Sequence, residues 1–125
     1  MAEFSVSSMF SDHMVMQRGE VCWVNLDPIV GSEVGKRRPA VVLQNDLANA
    51  TSPTVTVIPL SSNVQRVYPF QVRIPAGEGG LRDESKALCE QIRTVSRERI
   101  GERISVLAPG LLGEIREALD RHLWL

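Results

Sequence analysis

The chain has 125 residues, 43% of them hydrophobic and 23% charged, with a formal net charge of −1. That is enough for one domain with a single core. No run approaches the roughly 20 apolar residues that span a bilayer, and the first residues have neither the basic start nor the apolar stretch of a secretory signal. Cys22 and Cys89 are the only cysteines and lack metal-type spacing; Cys22, inside an apolar run, reads as a buried reduced thiol, and the composition suits the cytoplasm.

Residues 1–15 are read as an extension, leaving 16–125 as the domain. Val21, Cys22, Trp23, Val24 and Leu26 predict a first strand, closed by the turn-forming pair Asp27-Pro28, with Trp23 expected in the core. A polar loop with glycines runs from Ile29 to Arg37. Pro39 opens a second strand, Ala40 to Leu43, apolar throughout and therefore expected to be buried on both faces. Asn45-Asp46 is read as a break. Thr54 to Leu60 is a third strand, in which Pro59 should end the pairing because proline donates no hydrogen bond to a ladder.

Phe70, Val72 and Ile74 alternate with Gln71 and Arg73, the mark of a half-buried strand. Gly77 to Gly80 is a turn, Ala87 to Val95 carries another strand, and Ile104 to Val106 is a short one. Leu111, Leu112, Ile115, Leu119, His122 and Leu123 recur at helical spacing, predicting an amphipathic helix over 110–124. Short strands followed by one terminal helix describe a mainly β fold: a small curled barrel with a helix docked on it.

The chemistry is defined first by what is missing. The histidines are His13, in the extension, and His122, on the terminal helix, so a two-histidine ribonuclease mechanism is disfavoured. The sequence has no Asp/Glu/His cluster with metal-ligand spacing, no Ser-His-Asp arrangement and no phosphate-cradling glycine loop. An enzyme built on this chain would rely on arginine, hydroxyls and backbone dipoles.

Four blocks stand out: Arg18-Gly19-Glu20-Val21, then GSEVGKRRPAVVLQND (Gly31–Asp46), SPTVTVIPLSS (Ser52–Ser62) and LCEQIRTVSRERI (Leu88–Ile100). In this order and at these separations, they resemble the MazF/PemK toxins over residues 16–125. The resemblance implies an SH3-like β-barrel of the MazF/CcdB type with a C-terminal helix, forming a homodimer. It also implies a toxin of a toxin–antitoxin system that cuts single-stranded RNA, mostly messenger RNA, at specific sequences without a metal or other cofactor. In that chemistry the ribose 2′-hydroxyl attacks the adjacent phosphorus and leaves a 2′,3′-cyclic phosphate and a 5′-hydroxyl.

The matching catalytic arginine is Arg38, and the matching hydroxyl is Ser61, where many relatives have threonine; Ser62 is the nearby competitor. A planar guanidinium can hold two phosphorane oxygens at once, and charge that appears only in the transition state is where binding lowers a barrier. RNA contacts are expected from Ser32, Glu33, Lys36 and Arg37 in the first loop, from Ser62, Asn63 and Gln65 beyond the third strand, and from Glu90 and Gln91. The last two are polar groups suited to base edges, although Glu90 could instead be a strand carboxylate paired with Arg93 or Lys86. Tyr68 and Phe70 are minor stacking candidates. Trp124 is expected on the helix face or in a dimer seam.

The expected partner is a MazE-like antitoxin whose acidic C-terminal segment enters a basic cleft of Lys36, Arg37 and Arg38, with Arg66 and Arg93 nearby. Two other readings remain: a toxin on the same fold that binds DNA gyrase without catalysis, and an idle RNA-binding module.

Overall fold

The computed structural model describes residues 16–125, so the extension, with His13, lies outside the described residues. The strands are β1 (Glu20–Asn25), β2 (Arg37–Val42), β3 (Thr54–Ser61), β4 (Val72–Ile74), β5 (Ser85–Ala87), β6 (Arg93–Ser96) and β7 (Ile100–Val106). They form one antiparallel sheet in the order β4-β5-β3-β2-β1-β7, with β6 also paired to β3. The helices are α1 (Asp46–Thr51) and α2 (Pro109–Leu123). Among the described residues, no helix is long and apolar enough to cross a membrane.

β3 organises the sheet because its outer edge serves two partners. Thr54 to Val57 pair with β6, while Leu60 and Ser61 pair with β5. Pro59 lies between the two ladders and also forms the last pair with β2, opposite Ala40. Pairing with β2 therefore ends at the proline, as its missing N–H predicts, but the strand itself continues to Ser61. The handover corrects the expected single strand over Ala87–Val95. The chain there breaks into β5, a 3-10 turn at Cys89–Gln91 and β6, so Glu90 and Gln91 sit on a turn and not on a strand.

Alternation along β1 and β2 supplies two cores. Val21, Val41, Ile58 and Leu60 pack on one face with Ile115, Ala118 and Leu119 of α2, and Cys22, Val24, Ala40, Val42, Val55, Val57 and Val95 pack on the other. The second strand is thus buried on both faces, as its unbroken apolar run predicts. Asn45 does not simply break the chain: its side chain accepts from Ala48 N and caps α1, a helix hidden in the sequence by its shortness. The terminal helix matches its periodicity, but its stripe is only partly covered. Leu123, Trp124 and Leu125 remain exposed past Leu119.

Both thiols are free and buried, and burial pushes Cys22 up to about 11 and Cys89 up to about 12. Glu20 is buried at the start of β1, with Arg103 Nε 3.7 Å away. Loss of solvation there outweighs the arginine and raises its pKa.

Candidate active site

One cleft of about 540 Å3 opens where β1, β2 and β3 meet the 80–85 segment, and it is lined by Trp23, Arg37, Arg38, Pro39, Leu60, Ser61, Ser62, Gly80, Leu81, Arg82, Asp83, Ser85 and Ile104. Its floor continues the first core, to which Leu60 and Leu81 belong. Arg38 and Ser61, far apart in sequence, come together here because β2 begins and β3 ends on the same side of an antiparallel pair.

Arg38 is oriented by its backbone surroundings. Its Nε donates to Gly35 O at 2.8 Å, which leaves both terminal nitrogens without a partner among the described residues. The loop supplying that carbonyl is tightly built. Lys36 has a left-handed backbone (φ 68), a conformation that costs a non-glycine residue energy and is found at functional turns. Its N–H donates to Asp27 Oδ1 at 2.8 Å, and its carbonyl accepts from Leu26 N at 2.9 Å. At Gly35 a Cβ would stand 2.7 Å from the Ile29 side chain and 2.6 Å from Asp27 Oδ1, so any larger residue would have to displace the carboxylate that holds Lys36 N.

Ser61 is half-buried at the last position of β3, opposite Lys86. Its Oγ accepts from Asn63 N at 3.1 Å, so its own hydrogen remains available for donation into the cleft. Ser62 is exposed and also lines the cleft, outside the ladder.

Of the expected RNA contacts, Arg37 and Ser62 line the cleft. Ser32, Lys36, Asn63 and Gln65 are exposed on the two flanking loops. Glu33 is also exposed, and its Oε1 accepts from Val30 N. Glu90 and Gln91 are engaged elsewhere. Glu90 Oε2 accepts from Gln71 Nε2 at 2.8 Å and its Oε1 is buried without a partner, while Gln91 Oε1 accepts from Val34 N at 3.2 Å. Neither lines the cleft. Glu90 pairs with neither Arg93 nor Lys86: Arg93 donates to Leu26 O and Lys86 to Arg66 O.

Other expectations are corrected as well. Trp23 is only half-buried; its ring forms part of the cleft wall, with the Arg37 guanidinium 4.7 Å from its centroid. Arg66 and Arg93 do not line the cleft, and Arg66 lies over Tyr68 instead. Tyr68 and Phe70 stack on each other with centroids 5.4 Å apart. The cation that sequence reasoning passed over is Arg82, which together with Asp83 belongs to the cleft wall. Gly80 (φ 72) makes that wall possible, since a Cβ there would stand 2.9 Å from Ile104 and 2.8 Å from Ser105. A dense glycine turn leading into Arg-Asp was the signal available.

Residues 17–123 match the profile of the PemK-like, MazF-like toxins of type II toxin–antitoxin systems. The chain belongs to this family. It is 45% identical over 114 residues to the endoribonuclease MazF9 of Mycobacterium tuberculosis, covering 87% of this chain and 97% of that one. The crystal structure of MazF from Deinococcus radiodurans superposes with a TM-score of 0.79 at 30% identity, covering 89% of this chain and 98% of that one. A MazE–MazF structure from the same organism gives a TM-score of 0.72 at 30% identity, covering 89% and 97%. The mainly β toxin fold with its C-terminal helix is therefore shared with solved MazF structures.

Proposed function

We propose that this toxin is an endoribonuclease that cleaves single-stranded RNA, messenger RNA included, by attack of the ribose 2′-hydroxyl on the adjacent phosphorus. The observation that carries the reading is the shared cleft of Arg38, with two unpartnered terminal nitrogens, and Ser61, with a free hydroxyl hydrogen. The naming of the 45% identical relative as an endoribonuclease supports it. The guanidinium fork and the hydroxyl face the non-bridging oxygens as negative charge builds on them. The guanidinium, as a preorganised donor to developing charge, lowers the barrier by roughly 3–4 kcal/mol, and the hydroxyl adds about 1.5 kcal/mol, that of a single hydrogen bond to a charged group. Arg37 and Arg82 add positive charge along the cleft, and Lys36 adds it on the flanking loop, so a formal net charge of −1 does not oppose binding of a polyanion.

The products should be a 2′,3′-cyclic phosphate and a 5′-hydroxyl, and cutting should persist in excess EDTA. RNA with 2′-deoxyribose or 2′-O-methyl at the cut position should resist. Cutting of such a substrate would remove the internal nucleophile from the mechanism.

The MazE–MazF structure among the relatives supports an antitoxin as partner. We assign inhibition to an acidic C-terminal segment lying in the same basic cleft, pairing with Arg37 and Arg38. Such inhibition is competitive with RNA, and both ligands weaken as salt rises. Simultaneous binding of antitoxin and an uncleavable RNA would refute the shared cleft. The active form is assigned as a homodimer, in which the exposed Leu123, Trp124 and Leu125 gain cover from the second subunit. A monomeric mass by light scattering at micromolar concentration would overturn that assignment.

A further inference from the structure

Attack by a ribose 2′-hydroxyl requires that its proton be removed, and neither Arg38 nor Ser61 is suited to removing it. A guanidinium stays protonated to beyond about pH 12, and a serine hydroxyl is itself protonated at neutral pH. Among the residues lining the cleft, the charged ones are Arg37, Arg38, Arg82 and Asp83, and Asp83 is the one acid. Carboxylates are ionised at neutral pH and able to accept a proton.

Asp83 is exposed, and its carboxylate takes part in no hydrogen bond or ion pair with the described residues. Its neighbours hold the backbone in place without using that group. Ser85 Oγ donates to the Asp83 carbonyl at 3.0 Å, and Ser85 is itself buried and paired with Ile74. Glu84, next in sequence, is bound to Arg73 Nη1 at 2.7 Å and does not line the cleft. The segment thus commits one carboxylate to the fold and leaves the other to the site.

We propose that Asp83 is the general base of the cleavage. This rests on the ribonuclease reading above. The 2′-hydroxyl proton passes to the Asp83 carboxylate as the O2′–P bond forms and the P–O5′ bond breaks. The departing 5′-oxygen takes a proton from solvent water, and the Asp83 carboxyl later returns its proton to solvent, so the step is balanced without a cofactor. Arg38 and Ser61 stabilise the phosphorane, while Asp83 acts on the nucleophile.

The test is single-turnover cleavage by wild type, D83N and D83A. D83N should be about 100-fold slower or worse, the range for a lost general base. It should bind a 2′-O-methyl RNA as well as wild type or better, because a negative charge has been removed. Added formate should restore part of the D83A rate and saturate, whereas R38A should not respond. A substrate with sulfur in place of the 5′-bridging oxygen, a better leaving group, should leave the D83N deficit unchanged.

D83N within threefold of wild type would overturn the proposal, as would D83A that ignores formate. Loss of RNA binding by D83N would make Asp83 a ground-state contact, and recovery of D83N on the sulfur substrate would make it a general acid. Wild type that cuts no RNA would sink the ribonuclease reading and the base with it, whereas active wild type with active D83N sinks the base alone.

Discussion

The two sequence blocks that best mark this family end up in different situations. Around Arg38, the Gly31–Asp46 block builds a strained, closely packed turn and leaves a guanidinium end free in a cleft. In the Leu88–Ile100 block, the polar side chains that look equally suited to RNA are already used: Glu90 holds Gln71, and Gln91 holds the backbone of Val34. Val34 lies in the loop that carries Lys36 and leads into Arg38. The second block therefore acts on the first from behind, by fixing the loop. Polar residues in a recognisable motif can serve reaction chemistry or loop architecture, and hydrogen-bond accounting separates the two.

The comparison is sharpened most by Arg38. R38A should lower the single-turnover rate by roughly 100- to 1,000-fold, the loss expected for a removed transition-state donor. R38K should recover little of it, because an ammonium cannot fork two oxygens. A rate for R38A within tenfold of wild type would place the chemistry elsewhere.

Next in size is the hydroxyl. S61A should be slower by about tenfold, the worth of one hydrogen bond to a charged group, and S61T should stay near wild type. S62A should be milder than S61A, and the reverse order would move the hydroxyl to Ser62.

Gln91 then tests the other side of the comparison. Q91A leaves the Val34 N–H without its acceptor, which costs about 1–3 kcal/mol if that group stays away from water. KM should rise and amide exchange at Val34 should quicken, with the rate at saturating RNA changed only a few-fold. A changed base preference with Val34 still protected would instead make Gln91 a direct reader of RNA.

The smallest effects lie away from both blocks. Because burial raises the Glu20 pKa, the stability linked to its proton is present at low pH and is lost as pH rises through the folded-state value. E20Q should therefore melt above wild type at pH 7, and the gap should shrink on acidification; thermal melts at pH 4 and pH 7 measure it. Cys22 and Cys89, with thiols raised to about 11 and about 12, should resist iodoacetamide at pH 7.5 until the protein unfolds.

Local pattern alone was enough for much of this protein. The unbroken apolar run of β2, the proline that ends its ladder with β3 and the heptad-like stripe of α2 each follow from residue type and spacing, because they depend on neighbours a few positions away. Arg38 and Ser61 were marked out as candidates by their motifs, and the two share one cleft. Tertiary structure alone decided which polar groups remained free. Whether Glu90 meets Gln71, whether Gln91 meets Val34, and whether Trp23 enters the core or walls a cleft depend on segments many residues distant. The breaking of the expected Ala87–Val95 strand has the same origin, since β3 changes partner around Pro59 and the chain must turn to supply both ladders. That turn withdraws Glu90 and Gln91 from the cleft, while the 80–85 segment brings in Arg82 and Asp83, whose place in the site no local pattern encodes.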